Sequence, residues 1–381
     1  MAEAVAAESL LLARTRAFAQ QQAAPQAARF LREQGSCLSV LPDAARAGLL
    51  GLQVPVDQGG LGLSLSCKVQ AADILAEVDF GLAMAVINTH NVAEQLARLS
   101  PQGLALQHLP RLLAGATSAC TALTEPGAGS DFAAVQTTAV QVSGGWRLDG
   151  SKAWIINAID ASLVVVYAQT APGSGAAGIG AFVVDAHSPG FHRTGSGPMG
   201  PVPTLGTGAF SLQDYRCRED DLLSPPGRAF KDILVAINGA RTYVAAMCCG
   251  MVSECLRVAS SYGLQRQTFG KALHDHQGWR WQLADAAIDL DAARLMVVQA
   301  AALIDAGGDG QGAAARAKVF ATRMAHRHIA ALLHAMGAEG LRDEYPFIRH
   351  LQAAQVAALT DGSTGMLLER IARDVRQHKA I

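Results

Sequence analysis

The sequence lacks an excess of charge of either sign. Its 381 residues carry 31 Lys and Arg against 32 Asp and Glu, a formal net charge of −1, with the two signs interspersed. No basic patch or tail is present, which argues against a nucleic-acid partner. Charged residues make up only 17 % and hydrophobic residues 50 %, so apolar surface is ample for a large core. The length suggests two or three domains. Cysteines are few, seven in all, an odd number without C-x-x-C spacing. The adjacent Cys248 and Cys249 fall in an apolar helical stretch and read as reduced core thiols. The first thirty residues mix Glu3, Glu8, Arg14 and Arg16 with Ala and Gln; they lack a signal-peptide core and read as an amphipathic helix. No apolar run reads as long enough to span a membrane. There is no internal repeat and no low-complexity segment. The expectation is a soluble, cytoplasmic protein without a membrane partner.

Three compositional zones are present. Residues 1–115 are rich in Ala and Leu with helical periodicity, as in D-I-L-A-E-V (73–78) and V-A-E-Q-L-A-R-L (92–99). A Gly-rich loop, P-V-D-Q-G-G-L-G-L (55–63), interrupts them. Residues 116–227 change pattern: 137–150 read as two strands around a Gly-Gly turn, and 162–170 and 179–185 as further strands. From 228 to 381 helical patterns return, four or five helices punctuated at Gly307-Gly308 and Asp361-Gly362. Helices, then strands, then helices imply an α+β chain, mostly α, with a β domain between two helical domains.

Four segments invite a chemical reading. C-T-A-L-T-E-P-G-A-G-S-D (120–131) offers small residues and backbone amides at Gly127, Gly129 and Ser130, which permit close approach of a phosphate or ring system. It is not a dinucleotide-binding fingerprint, and alone it reads equally as a tight loop. K-A-W-I-I-N-A (152–158) places Trp154 between strands, where a Trp is ordinarily core. R-Q-T-F-G-K-A-L-H-D-H-Q (266–277) breaks a helix at Phe269-Gly270 and carries His274 and His276. Residues two apart on a helix do not share a face, and no carboxylate or Cys set accompanies them, so no metal site is expected here or at His326 and His328. Finally A-A-L-T-D-G-S-T-G (357–365) ends an apolar helical run at Asp361. Asp-Gly is ordinary turn chemistry, and Asp361 reads either as punctuation or as a base.

Taken together these segments resemble the acyl-CoA dehydrogenase family of FAD enzymes. T-E-P-G-A-G-S-D, K-x-W-I-x-N-A, R-x-T-F-G-K-x-L-x-x-x-Q and E-Y-P-x-x-R followed by D-G-S come in the family's order and spacing over essentially the whole chain. The resemblance implies an N-terminal helical domain, a central β-barrel and a C-terminal four-helix bundle, in a homodimer or homotetramer. It implies that Leu123, Thr124, Gly129 and Ser130 meet the isoalloxazine, with Trp154 and Ile156 beside the ring. Arg266, Thr268 and Phe269 would reach the pyrophosphate and adenosine of FAD in the neighbouring subunit, near Gln277. His334 and Ala338 would lie toward the adenine, and Ser363 also at the cofactor. Arg241 and Gly362 would line the acyl-thioester pocket, with Asn238 and Ser130 along the pantetheine chain. Asp361 would take the proton α to the thioester carbonyl while a hydride leaves the β-carbon for flavin N5. That chemistry needs a carboxylate in an apolar pocket, because desolvation raises its basicity. It also needs a polarised carbonyl, which in the family a backbone N–H and a flavin hydroxyl supply.

Departures from the family pattern accompany it. Asp361 stands where many members carry Glu, and its oxygens fall short by roughly 1 Å unless the pocket adapts. Ala240 offers no substitute base. Ile156 replaces a threonine whose hydroxyl bonds the flavin, a change in redox tuning. His334, Ala338 and the pair Gln352-Ala353 also differ. These point to a specialised acyl group on CoA or an acyl carrier protein, with electron-transfer flavoprotein or oxygen as acceptor. The alternatives are an oxygen-using flavoenzyme, oxidase or monooxygenase, on the same fold, and an inactive scaffold.

Overall fold

The computed structural model describes residues 2–33, 36–100, 102–194 and 202–377. In chain order the helices before the strand region are α1 (Ala2–Phe18), α2 (Ala24–Glu33), α3 (Leu41–Arg46), α4 (Leu65–Val78), α5 (Phe80–Leu99) and α6 (Leu104–Leu113). The strands are β1 (Ala119–Ala122), β2 (Thr138–Val142), β3 (Gly145–Ile155), β4 (Leu163–Gln169), β5 (Ile179–Asp185), β6 (Phe191–Thr194), β7 (Gly208–Arg218) and β8 (Leu222–Ser224). Helix α7 (Ala229–Gln265) follows, then a small hairpin of β9 (Gln267–Thr268) and β10 (Lys271–Ala272). Helices α8 (Gln277–Asp305), α9 (Gln311–Ala335), α10 (Phe347–Leu359) and α11 (Thr364–Arg376) complete the chain. Two compact units result, one of Met1–Ser64 with Gly81–Ala236, the other of Leu65–Phe80 with Ile237–Ile381.

The first unit is built on the strand region. Its sheet runs β6-β7-β3-β2-β4-β5-β8, with β1 added in parallel to β4. The β-branched run of β4, L-V-V-V-Y-A-Q, is buried throughout, as a strand covered on both faces should be. One face feeds an apolar core shared by Cys120, Ala139, Leu148, Val166, Phe182, Phe191 and Phe210, so residues from β1 through β7 meet in one cluster. On the other face Gln95 of α5 donates to the Tyr167 hydroxyl at 2.9 Å. The β2–β3 turn passes through Gly144 at φ 83, as its Gly-Gly pair predicts.

The second unit gathers α4 with the helices from α7 onward. Arg294 of α8 grips the Asp73 carboxylate of α4 through two bonds of 2.9 and 3.0 Å. Gly250 of α7 lets that helix lie against α4: a Cβ there would stand 2.0 Å from the Asp73 carbonyl oxygen. Cys248 and Cys249 are fully buried in α7, and burial pushes the Cys248 thiol up to about 12. One expectation needs correction. Helix α7 holds an 18-residue window of mean hydropathy 1.4, enough by length and composition to cross a membrane. Because 61 % of that window is buried inside the protein, its apolarity is that of a core helix.

Candidate active site

The apolar run of α10 stops at Thr360, which is extended at ψ 144. Asp361 then takes the left-handed region at φ 54 and Gly362 follows at φ 102. Asp is among the few side chains that tolerate this region, and the pair reverses the chain into α11 behind Ser363. Asp361 is partly exposed as a residue, yet its Oδ2 is buried and has no hydrogen-bond partner. Burial holds its carboxyl above the ordinary carboxylate value, against the attraction of Lys318 and Arg241.

Arg241 of α7 donates from Nε to the Asp361 main-chain oxygen at 3.1 Å and from Nη1 to Asn238 Oδ1 at 3.1 Å. Asn238, one turn earlier, therefore orients the guanidinium. Lys318 of α9, 1 % exposed, donates to the carbonyls of Thr360 and of Gly362, the latter at 2.6 Å. Three successive carbonyls of the turn are thus held by cations. Lys318 was not singled out by the sequence reading. The available signal was its place among alanines at helical spacing, Ala314, Ala317, Ala321 and Ala325, all buried.

In the first unit, residues 123–128 are tied down from behind. Lys152 Nζ donates to the Leu123 carbonyl at 3.0 Å and to Glu125 Oε1 at 2.8 Å, and Ala153 N–H donates to the Thr124 carbonyl at 3.1 Å. The Glu125 carboxylate also accepts from the Gln136 and Thr137 amides at 2.6 and 3.0 Å. Burial alone would raise its pKa; Lys152 and these bonds hold it below the usual carboxylate range. Gly129 and Ser130 remain exposed. The pairing of β3 with β7 slips between Lys152 and Ile155, and in that bulge Trp154 adopts φ 63 and stands 59 % exposed. Trp154 is therefore a presented surface and not the core residue its strand context suggests. Ile156 beside it is half-buried.

In the second unit, Phe269-Gly270 does not simply break a helix. It is the two-residue tip of the β9–β10 hairpin, with φ 49 and 78. Phe269 is 94 % exposed there. His276 Nε2–H donates to the Thr268 carbonyl at 3.2 Å, so this histidine braces the hairpin. Arg266 and Gln277 are exposed. Trp279 Nε1–H donates to the Ala335 carbonyl at 2.9 Å and brings the start of α8 to the end of α9, where His334 and Ala338 are exposed. Among the described residues no group of three or more His, Cys, Asp or Glu could hold a metal ion.

Each unit by itself presents groups that suit part of a large planar cofactor with a charged tail. In the first, Trp154 is an exposed indole and the 129–130 backbone is open; in the second, Phe269 is exposed and Arg266 is an exposed guanidinium without an ion pair among the described residues. Comparison with known proteins agrees. The acyl-CoA dehydrogenase N-terminal, middle and C-terminal domain families match residues 6–116, 120–215 and 227–376. The chain is 29 % identical to a rat mitochondrial short/branched chain specific acyl-CoA dehydrogenase, over 94 % of this chain and 83 % of that protein. It is 30 % identical to acryloyl-CoA reductase (NADH) of Anaerotignum propionicum, over 97 % and 94 %. It superposes on butyryl-CoA dehydrogenase from Megasphaera elsdenii with a TM-score of 0.92 at 27 % identity, covering 97 % and 98 %. Fold, motifs and matches together show that the chain belongs to the acyl-CoA dehydrogenase family of FAD-dependent oxidoreductases.

Proposed function

We propose that the protein forms an α,β-double bond in an acyl thioester, with Asp361 removing the α-proton. The observation that carries this reading is the Asp361 carboxylate itself: buried at Oδ2, without a hydrogen-bond partner, and raised in pKa by desolvation. A turn aspartate that merely caps a helix spends its oxygens on backbone amides. This one is held by its main chain and keeps an oxygen for a proton.

The remaining roles follow from membership of the family. Bound FAD supplies the acceptor for the two electrons that leave the β-carbon. Trp154, Ile156 and the 123–130 loop hold its ring; Arg266, Thr268 and Phe269, with Gln277 near them, serve the FAD of a neighbouring subunit; His334 and Ala338 lie toward the adenine, and Ser363 also meets the cofactor. Arg241, Asn238 and Gly362 line the thioester's path in the second unit, and Ser130 is assigned to the pantetheine chain by the family resemblance alone. Excluding water there keeps Asp361 basic. Asp is shorter than Glu, and this favours a specialised acyl group placed closer to the turn.

The test is a visible spectrum of purified protein, recorded anaerobically while acyl-CoA and acyl-carrier-protein thioesters are added. Bleaching of the oxidised flavin band is expected with one class. Admitting air then separates a dehydrogenase that passes electrons to electron-transfer flavoprotein from an oxygen-using enzyme. Flavin-bearing protein that no thioester bleaches overturns the reading.

A further inference from the structure

We propose that Lys318 is the positioning residue for the base: its buried ammonium fixes the main chain on both sides of Asp361 and leaves the carboxylate uncommitted. The proposal rests on the reading of Asp361 as the base.

A helix C-terminus leaves carbonyls in need of donors, and a cation there is favourable. Capping alone does not explain Lys318. Water or an exposed lysine would satisfy the same carbonyls, whereas a buried ammonium is costly to desolvate. The lysine is almost fully buried, and the carboxylate whose charge acts on it is Asp361. A direct ion pair would be the usual solution, yet no ion pair with the Asp361 carboxylate forms among the described residues and Oδ2 stays unbonded. The ammonium is spent instead on the carbonyls of Thr360 and Gly362, and Arg241 takes the carbonyl between them. The turn is thereby locked in its left-handed form. A direct salt bridge would have tied up the proton-accepting oxygen and depressed its basicity. Holding the backbone avoids both.

The charged and titratable groups around the lysine are Asp361 in the turn, Arg241 and Cys248 on α7, and Arg370 on α11 beyond Arg241. The Cys248 thiol is pushed up to about 12 and stays neutral, and the Arg241 guanidinium stays charged. Lys318 is therefore the cation here whose charge changes with pH, beside an Asp361 carboxyl that burial raises above its ordinary value. Burial brings the lysine down to about 8. Below that value it is charged and the turn is clamped; as pH rises through it the ammonium loses a proton and the clamp weakens.

The experiment compares the FAD-loaded wild type with Lys318→Met and Lys318→Arg. Two readouts are taken: amide hydrogen exchange of the segment 357–367, and the pH dependence of the anaerobic bleaching rate at saturating thioester. Lys318→Met is expected to exchange ~10-fold faster or more in that segment alone. Its bleaching rate is expected to fall ~100-fold, with thioester affinity nearly unchanged. Its acidic limb should move to higher pH, because a positive charge near Asp361 is gone, and the alkaline limb near the lysine's pKa should vanish. Lys318→Arg should recover part of the rate. A Lys318→Met enzyme with wild-type exchange, or with the wild-type pH profile, overturns the proposal. If Lys318→Met does not fold, wild-type protection in 357–367, corrected for intrinsic exchange, must still fall as pH crosses about 8, and flat protection overturns the clamp. The exchange readout judges the clamp even if no thioester bleaches the flavin; failure of bleaching alone counts against the base assignment.

Discussion

At the residue scale the decisive feature is a carboxylate that folding penalises. Asp361 binds its proton more tightly in the folded chain than in the unfolded one. Ionising it therefore costs stability as pH rises from the ordinary Asp value of 3.8 through its raised folded value. Asp361→Asn should accordingly melt at a higher temperature than wild type near neutral pH, with the gain shrinking in acid below both values. The same substitution should slow flavin bleaching by ~100-fold or more, without loss of flavin. Thermal scans at two pH values and anaerobic stopped-flow decide both; a variant that bleaches normally would remove Asp361 from catalysis. The wild-type rate should fall as pH drops through the raised value, since only the ionised carboxylate takes a proton. Asp361 was visible in the sequence because Asp-Gly after an apolar run marks a turn and the family motifs fix its register. Its unpartnered oxygen was not, since that depends on where two cations on α7 and α9 spend their donors.

At the element scale, each unit holds a reactive loop from behind with a buried lysine. Lys152 and Glu125 are 1 % and 6 % exposed, so the pair is deep in the first unit. Lys152→Met leaves a buried carboxylate without its cation and should cost ~3–5 kcal/mol, measured by chemical denaturation. Adding Glu125→Gln should recover much of that loss. FAD retention should fall in both, because the Leu123 carbonyl loses its anchor. Full retention would mean that the 123–130 loop does not hold the ring. The folded-state depression at Glu125 adds stability above the unfolded carboxylate pKa, and that share is lost as pH falls through the lower folded value. One strand was legible to the residue: the apolar run 179–185 is β5 itself, since β-branched residues between Gly and Pro signals leave little ambiguity, whereas β1, β6, β7 and β8 were not read from the sequence. The β9–β10 hairpin was not. Its tip puts a phenylalanine where Asn or Gly is usual, so the turn carries no familiar dipeptide. Trp154 misled for a similar reason, because a bulge is one residue of register that no periodicity announces.

At the scale of the whole molecule, α8 shows what this chain leaves uncovered. Trp281, Ile288 and Leu295 recur at heptad spacing and are 61, 65 and 71 % exposed. A monomer seldom leaves such a stripe in water. We expect it to be covered in a homodimer or homotetramer, and Leu295→Glu with Trp281→Arg to lower the mass seen by light scattering. FAD should be lost with the larger assembly if Phe269 and Arg266 serve a neighbour's cofactor; unchanged mass would place the subunit contact elsewhere. The division of the chain has another consequence, for synthesis. Helix α4 belongs to the unit completed by the last third of the protein, and its Asp73 waits for Arg294. They are 221 residues apart in the chain, about 10–40 s of translation at ordinary rates. Through that interval the apolar face of α4, Val69, Ala72, Ile74 and Leu75, has no native partner from α8. The nascent chain must therefore carry a sticky helix on the ribosome while the strands of the other unit are still being made, which exposes α4 to chaperones and makes its pairing sensitive to the pace of translation.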